Sequence, residues 1–254
     1  MNGNQHLKSL WRDRKPAYGI VLASGSVVAA ELAKIAQYDF VVVDMEHGFV
    51  DDDVLFQLRL ALEGGRTSAL VRVPGGDRRS IEKIMDLGYD GVLVPNVKDD
   101  EQTRELVSLC CYPPLGTRGH ASTVRALKYG VDPQHASDSS VNDFIIVTMI
   151  ESEFASSCAS QIASVDGVDA VIVGPFDLSG DLGSIGDFAN PRYRQCLDAI
   201  ENGTRMAGKI LGTAPHGPYT VDELIARGHL MLTIGSDIGL LRDSFIRQVE
   251  SIRT

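Results

Sequence analysis

Two carboxylates each stand close after a short apolar run, Glu151 in Met149-Ile150-Glu151-Ser152 and Asp177 in Gly174-Pro175-Phe176-Asp177-Leu178-Ser179. If those runs are consecutive strands about 4.8 Å apart, the two side chains can converge on one hard cation. Oxygen-only ligation, with positions left for water or substrate, favours Mg²⁺ or Mn²⁺ over zinc, which takes His and Cys donors. The same residues can instead be caps, Glu151 for a helix beginning near Glu153 and Asp177 for a turn before Leu178. Spacing alone supports both uses.

A histidine and two more acids follow another apolar run, in Val43-Asp44-Met45-Glu46-His47-Gly48. A carboxylate three residues before His47 can hold its imidazole in one tautomer, as a general acid/base requires. The plainer alternative is a partly buried histidine satisfied by a backbone carbonyl. Arg72 sits in the apolar Val71-Arg72-Val73-Pro74, so its charge must meet an anion. That anion is either Asp44 or Glu46, in a structural pair, or a substrate carboxylate gripped by the forked donors. Gly235-Ser236-Asp237 marks a helix start that either binds phosphate or simply caps itself. Lys98, in the charged Lys98-Asp99-Asp100-Glu101, reads as a solvated face rather than a Schiff-base lysine, and His120, His135, His216 and His229 show no metal-ligand spacing.

These residues need strands whose C-terminal ends face one way. Apolar runs punctuated by Gly, Pro and Asp predict strands over Tyr18 to Ala23, Phe40 to Met45, Ala69 to Val73, Gly91 to Pro95, Ile145 to Ile150, Ala170 to Gly174, Lys209 to Thr213 and Leu230 to Gly235. Amphipathic stretches between them predict helices over Val27 to Gln37, Asp52 to Glu63, Arg78 to Leu87, Asp100 to Cys110, Glu153 to Val165, Arg192 to Ala207, Val221 to Arg227 and Ile238 to Ile252. Strand and helix alternating eight times predict an α/β fold, a (β/α)8 barrel occupying residues 1–254 as one domain, with chemistry at the strand C-terminal ends. A doubly wound open sheet is disfavoured because no GxGxxG turn follows the first strand. The stretch from Tyr112 to Asp143 is too long and too rich in Pro, Gly, Ser and Asp for a simple linker. It is expected to form a lid or oligomer contact that helps shape a pocket between subunits, with Arg118 offering an anion contact to the neighbour.

Composition narrows the function classes. The 254 residues carry 24 Lys+Arg against 34 Asp+Glu, a formal charge of −10, with 44% hydrophobic residues, 6% aromatics and 25 glycines. A core of Val, Ile, Leu and Ala with many tight turns suits an α/β fold. An acidic chain without a basic tract offers nothing to a nucleic acid or an anionic membrane. The longest apolar runs, such as Phe40 to Val43 and Phe144 to Val147, fall far short of the roughly 20 residues of a bilayer span. The polar start Met1-Asn2-Gly3-Asn4-Gln5-His6 lacks a signal-peptide hydrophobic region. Four cysteines with no CxxC spacing suit reduced thiols, and the expected location is cytoplasmic.

Taken together, the blocks Val43 to Gly48, Val71 to Pro74, Asp86 to Pro95, Tyr112 to Gly119, Met149 to Ser152, Gly174 to Ser179 and Gly235 to Asp237 resemble the metal-dependent class II pyruvate aldolases of the HpcH/HpaI type. That group includes 4-hydroxy-2-oxoheptanedioate aldolase, 2-keto-3-deoxyrhamnonate aldolase and macrophomate synthase, and the likeness runs from about Tyr18 to Leu241. The resemblance implies a carbon-carbon lyase that cleaves a 4-hydroxy-2-oxo acid to pyruvate, or a related 2-oxo acid, and an aldehyde. It implies Glu151 and Asp177 as ligands of a divalent cation, Mg²⁺, Mn²⁺ or Co²⁺, and Arg72 as the clamp on the enolate. His47, oriented by Asp44, would handle protons through a water, and the backbone N–H groups of Phe176 and Asp177 would hold the pyruvate carboxylate. Glu46 and Asp86 would be supporting acids near the metal and loop. It further implies a homohexamer, a dimer of trimers, with the last helix exchanged between subunits. Met149, where some members carry Gln, and His120-Ala121-Ser122-Thr123 depart from the pattern and bear on the acceptor aldehyde. Oxaloacetate decarboxylation and an oxo-acid-binding barrel without turnover are the competing readings.

Overall fold

The computed structural model describes residues 2–131 and 144–253. Eight strands pair in parallel around a closed barrel: β1 (Ala17–Leu22), β2 (Phe40–Asp44), β3 (Ser68–Arg72), β4 (Gly91–Val94), β5 (Ile145–Ile150), β6 (Ala170–Val173), β7 (Ile210–Thr213) and β8 (His229–Ser236). Each predicted strand is present, with ends shifted by a residue or so. The strands read as continuous apolar runs because both of their faces are covered. Phe40, Val42, Leu70, Val147 and Ile172 fill the barrel axis, while Val41, Val43, Val71 and Val171 lie under the helices. Gly19 makes the axis packing possible, since a Cβ there would sit 2.2 Å from the Phe40 ring.

The outer helices begin where short polar side chains can cap them. Ser26, Asp51, Asp77 and Asp99 accept backbone N–H bonds at the starts of α2 (Val27–Ile35), α3 (Asp52–Ala61), α4 (Arg78–Leu87) and α5 (Asp100–Cys110). The helix expected over Glu153 to Val165 is broken at Cys158 into α6 (Glu153–Ser157) and α7 (Ala159–Ala163). An unforeseen short helix, α8 (Pro175–Asp181), follows β6, and α9 (Pro191–Met206), α10 (Val221–Ala226) and α11 (Asp237–Arg253) complete the order.

A second unforeseen helix, α1 (Gly3–Arg12), closes the N-terminal end of the barrel. Asn2 and Gln5 form a reciprocal capping box, and Leu7 and Trp11, one turn apart, are buried with Phe40 and Leu70. Asn4 donates to the Asp90 carbonyl at 2.9 Å and accepts from the Ser68 hydroxyl at 2.7 Å.

As far as residue 131, the long excursion after α5 is tied to the rest of the chain. It follows the flank of α4: the Gly119 N–H donates to Glu82 at 2.8 Å and Arg125 donates to the Leu87 carbonyl at 2.9 Å. Arg118 does not reach outward to a neighbour; it is 6% exposed, paired with Asp86 at 3.0 Å and stacked over Tyr112. The rest of that stretch, with His135, lies outside the described residues. Among the described residues no helix is long and apolar enough to cross a membrane.

Candidate active site

The register of the first strand pairs brings the acids and the arginine together, with Asp44 opposite Arg72 at the ends of β2 and β3. Arg72 donates from Nε to Asp44 Oδ1 at 2.9 Å and from Nη2 to Oδ2 at 2.6 Å, a two-pronged pair that fixes the guanidinium plane. Its remaining Nη1 lies 3.3 Å from Glu46 Oε2. Asp44, 2% exposed, also accepts the N–H groups of Glu46 and His47 at 3.1 and 3.2 Å. Burial works to raise the Asp44 carboxyl, but Arg72 and those N–H groups outweigh it and hold it below the usual carboxylate value.

This geometry corrects one expectation. Asp44 does not orient the His47 imidazole; its oxygens are taken by Arg72 and by the backbone of the turn, His47 included. The acid beside the imidazole is Glu46, 3.7 Å from His47 Nε2, and the His47 side chain is 68% exposed at the barrel mouth. Burial raises the Glu46 carboxyl, against the pull of Arg72 and His47.

Across the mouth, Glu151 follows β5 and Asp177 lies in the first turn of α8. Neither side chain is spent on capping: Ser152 caps α6, and no side chain caps α8. Glu151 Oε1 accepts the Asn96 N–H at 2.6 Å. Gly174 makes room for it, because a Cβ there would stand 2.6 Å from Glu151 Oε2. Burial and then the neighbouring charge of Asp177, with a contribution from Glu46, raise the Glu151 carboxyl to about 7, against Asn96 and Arg72. Asn96 and Gly174 escaped the reading of the sequence, since one acts through its backbone and the other by lacking a side chain. The left-handed backbone of Asn96 (φ 52°), a conformation that Asn tolerates, is the local signal for the former.

Among the described residues no three His, Cys, Asp or Glu side chains form a closed cage for a metal. Two uncapped carboxylates, one of them raised by crowded negative charge, still fit a hard divalent cation of the kind that keeps several sites for water and substrate oxygens. Next to them, the N–H groups of Phe176 and Asp177 precede the first bond within α8, from the Leu178 N–H to the Gly174 carbonyl at 3.0 Å. A cavity of about 200 Å³ opens here, lined among others by Arg72, Met149, Gly174, Phe176, Asp177 and Pro215.

Other candidates fall elsewhere. Asp86 lies in the last turn of α4, which runs back toward the N-terminal ends of the strands, and it pairs with Arg118 rather than joining His47 within the chain. Asp237 accepts the Ala23 N–H at 2.9 Å and the Ser24 hydroxyl, and Ser236 accepts the Gly239 N–H at 3.1 Å, so this turn ties and caps itself. Lys98 is exposed, and among the described residues no strand contains a lysine.

Known proteins resemble this chain in sequence and fold. Residues 18–244 match the HpcH/HpaI aldolase/citrate lyase family. The chain is 30% identical over 231 residues to 5-keto-4-deoxy-D-glucarate aldolase of Enterobacter sp. (strain 638), covering 91% of this chain and 90% of that one. Its fold superposes with a TM-score of 0.92 on a family protein from Burkholderia cenocepacia J2315, at 26% identity and 98% and 99% coverage of the two chains. The HpcH/HpaI aldolase of Desulfitobacterium hafniense DCB-2 gives 0.87 at 28% identity, covering 97% of this chain and 96% of that one. With a closed eight-stranded barrel, acids at the ends of β2, β5 and β6, and a match over nearly its whole length, the chain is a lyase and belongs to the HpcH/HpaI aldolase/citrate lyase family.

Proposed function

We propose that this lyase cleaves a 4-hydroxy-2-oxo acid to pyruvate, or a related 2-oxo acid, and an aldehyde. The observation that carries the reading is the uncapped pair Glu151 and Asp177 facing Arg72, with Glu151 raised to about 7 by burial and by Asp177. Those two carboxylates would hold a divalent cation, which when bound supplies Lewis-acid polarisation of the keto group. The substrate carboxylate is received by the N–H groups of Phe176 and Asp177, placed beside the cavity by the start of α8.

As the C3–C4 bond breaks, its electron pair moves onto C3 and the keto oxygen, and the C4 hydroxyl loses its proton to become the aldehyde. His47, exposed at the mouth beside Glu46, takes that proton through a water. Arg72 faces the charge growing on the keto oxygen, an interaction stronger in the transition state than in the ground state. Asp44 preorganises it by holding two of its nitrogens. Return of a proton to C3 completes pyruvate. We also propose that the chain assembles as a homohexamer, a dimer of trimers, in which α11 is exchanged between subunits.

Pyruvate release from a panel of 4-hydroxy-2-oxo acids, with and without EDTA, tests the function. Release abolished by EDTA and restored by Mg²⁺ or Mn²⁺ is the expected result. Turnover of oxaloacetate alone would move the assignment to decarboxylation.

A further inference from the structure

Glu151 leaves the end of β5 with its side chain held from two sides, and the turn after β4 supplies one of them. In that turn Pro95 and Val97 are buried, with Asn96 exposed between them. Each of the three N–H groups after the proline has an acceptor. The Asn96 N–H donates to Glu151 Oε1 at 2.6 Å, the Val97 N–H to the Met149 carbonyl at 3.2 Å and the Lys98 N–H to Gln102 Oε1 at 2.9 Å. Two successive donors of one turn thus grip the end of the neighbouring strand, one on its carboxylate and one on its backbone.

The left-handed residue of the turn is Asn96 itself, a conformation that asparagine and glycine enter readily and β-branched residues resist. On the other side of the carboxylate stands Gly174, where a Cβ would lie 2.6 Å from Glu151 Oε2 and 2.9 Å from Glu151 Cβ. Glu151 is therefore fixed with Oε1 on the Asn96 N–H and Oε2 against the bare Cα of Gly174. Turning the carboxylate so that both oxygens faced one ligand would break the hydrogen bond from Asn96.

We infer that Asn96 is a positioning residue whose N–H keeps Glu151 a one-oxygen ligand and so biases the site toward small, hard cations and against Ca²⁺. The inference rests on the cation reading of Glu151 and Asp177 given above. Mg²⁺ is held by one or two carboxylates and keeps several waters, so it needs no more from Glu151 than the oxygen left over. Ca²⁺ takes roughly six to eight oxygens and gains from a carboxylate that supplies both of its own. An oxygen committed to a backbone N–H is withdrawn from that set, so selectivity arises from what the turn denies the wrong ion as much as from what it leaves for the right one.

The test is Mn²⁺ binding to the metal-free protein, followed by electron paramagnetic resonance alone and in competition with Ca²⁺, in the wild type, Asn96→Gly and Asn96→Pro. Glycine keeps the N–H and the left-handed turn, whereas proline has no N–H to give. In Asn96→Pro the preference for Mn²⁺ over Ca²⁺, read as the ratio of the two Kd values, is expected to fall by about tenfold. Asn96→Gly should hold the wild-type ratio. An unchanged ratio in a folded Asn96→Pro, including one in which both affinities fall in step, overturns the inference, as does the same narrowing in Asn96→Gly. Should Asn96→Pro not fold by circular dichroism, Asn96→Val takes its place under the same criteria. Wild-type protein that binds no Mn²⁺, or Glu151→Gln protein that binds it equally well, refutes the cation reading and the inference with it. Binding that is lost in Glu151→Gln, combined with an unchanged ratio in Asn96→Pro, refutes the inference alone.

Discussion

Arg72 has two duties that one substitution can separate. It pairs twice with the buried Asp44 and faces the proposed enolate, so Arg72→Lys keeps a charge near Asp44 but loses the planar fork. Losing one preorganised donor costs about 3 kcal/mol, roughly a hundredfold in kcat, with metal affinity retained. A kcat within a few-fold of wild type, accompanied by a lower Tm, would reduce Arg72 to a structural partner of Asp44. Glu151 gives a pH signature. Its carboxyl is raised in the folded chain, so the stability it contributes is present below the unfolded value of about 4.3 and is lost as pH rises through about 7. In EDTA, Glu151→Gln should therefore raise Tm at pH 8 and leave it almost unchanged near pH 5. Equal loss of Tm at both would show that Glu151 is not crowded. That Arg72, Glu151 and Asp177 come together at one mouth was legible because charged residues at or just past the ends of apolar strands have few places to go. The partner of Asp44 was not, because a spacing of three residues cannot distinguish an imidazole from the backbone N–H of the same histidine.

Strands gave clear signals because burial on both faces leaves continuous apolar runs, as in β2 and β5. Helix α1 was hidden by its polar composition; only Leu7 and Trp11 go inside, and the Asn2 and Gln5 capping box was the available clue. Trp11→Ala should cost about 3–5 kcal/mol in denaturant unfolding, since the ring plugs the end of the barrel. A loss below 1 kcal/mol would mean that α1 is a loose appendage. Asp86 lies in the last turn of α4, paired with Arg118, because the last turn of a helix that follows a barrel strand lies away from the mouth of its own barrel. Helix α11 presents Leu241, Phe245, Val249 and Ile252 at helical spacing, all exposed, with Phe245 at 63%, and of its seventeen residues only Asp237 is buried. Across the chain, Val28, Leu32 and Ile35 on α2 are exposed as well. Leu241→Asp with Phe245→Asp should break the proposed hexamer into smaller species by sedimentation velocity. Unchanged assembly would place the subunit contact elsewhere.

At the scale of the whole molecule, the barrel gathers groups from four strands onto one face, and that gathering was legible from the eight-fold alternation of strand and helix. The packing behind Phe176 was not, because it depends on contacts among Phe176, Phe188, His216 and Tyr193 that lie apart in the sequence. The central proposal, lyase chemistry that depends on a cation held by Glu151 and Asp177, is tested most directly by titrating Mn²⁺ into EDTA-treated protein. Free Mn²⁺ is followed by electron paramagnetic resonance while pyruvate release is assayed on the same samples. One Mn²⁺ bound per chain, activity rising in proportion to occupancy, and loss of both in Glu151→Gln and Asp177→Asn are expected. Full pyruvate release without bound Mn²⁺, or covalent trapping of pyruvate on a lysine by borohydride, would contradict it.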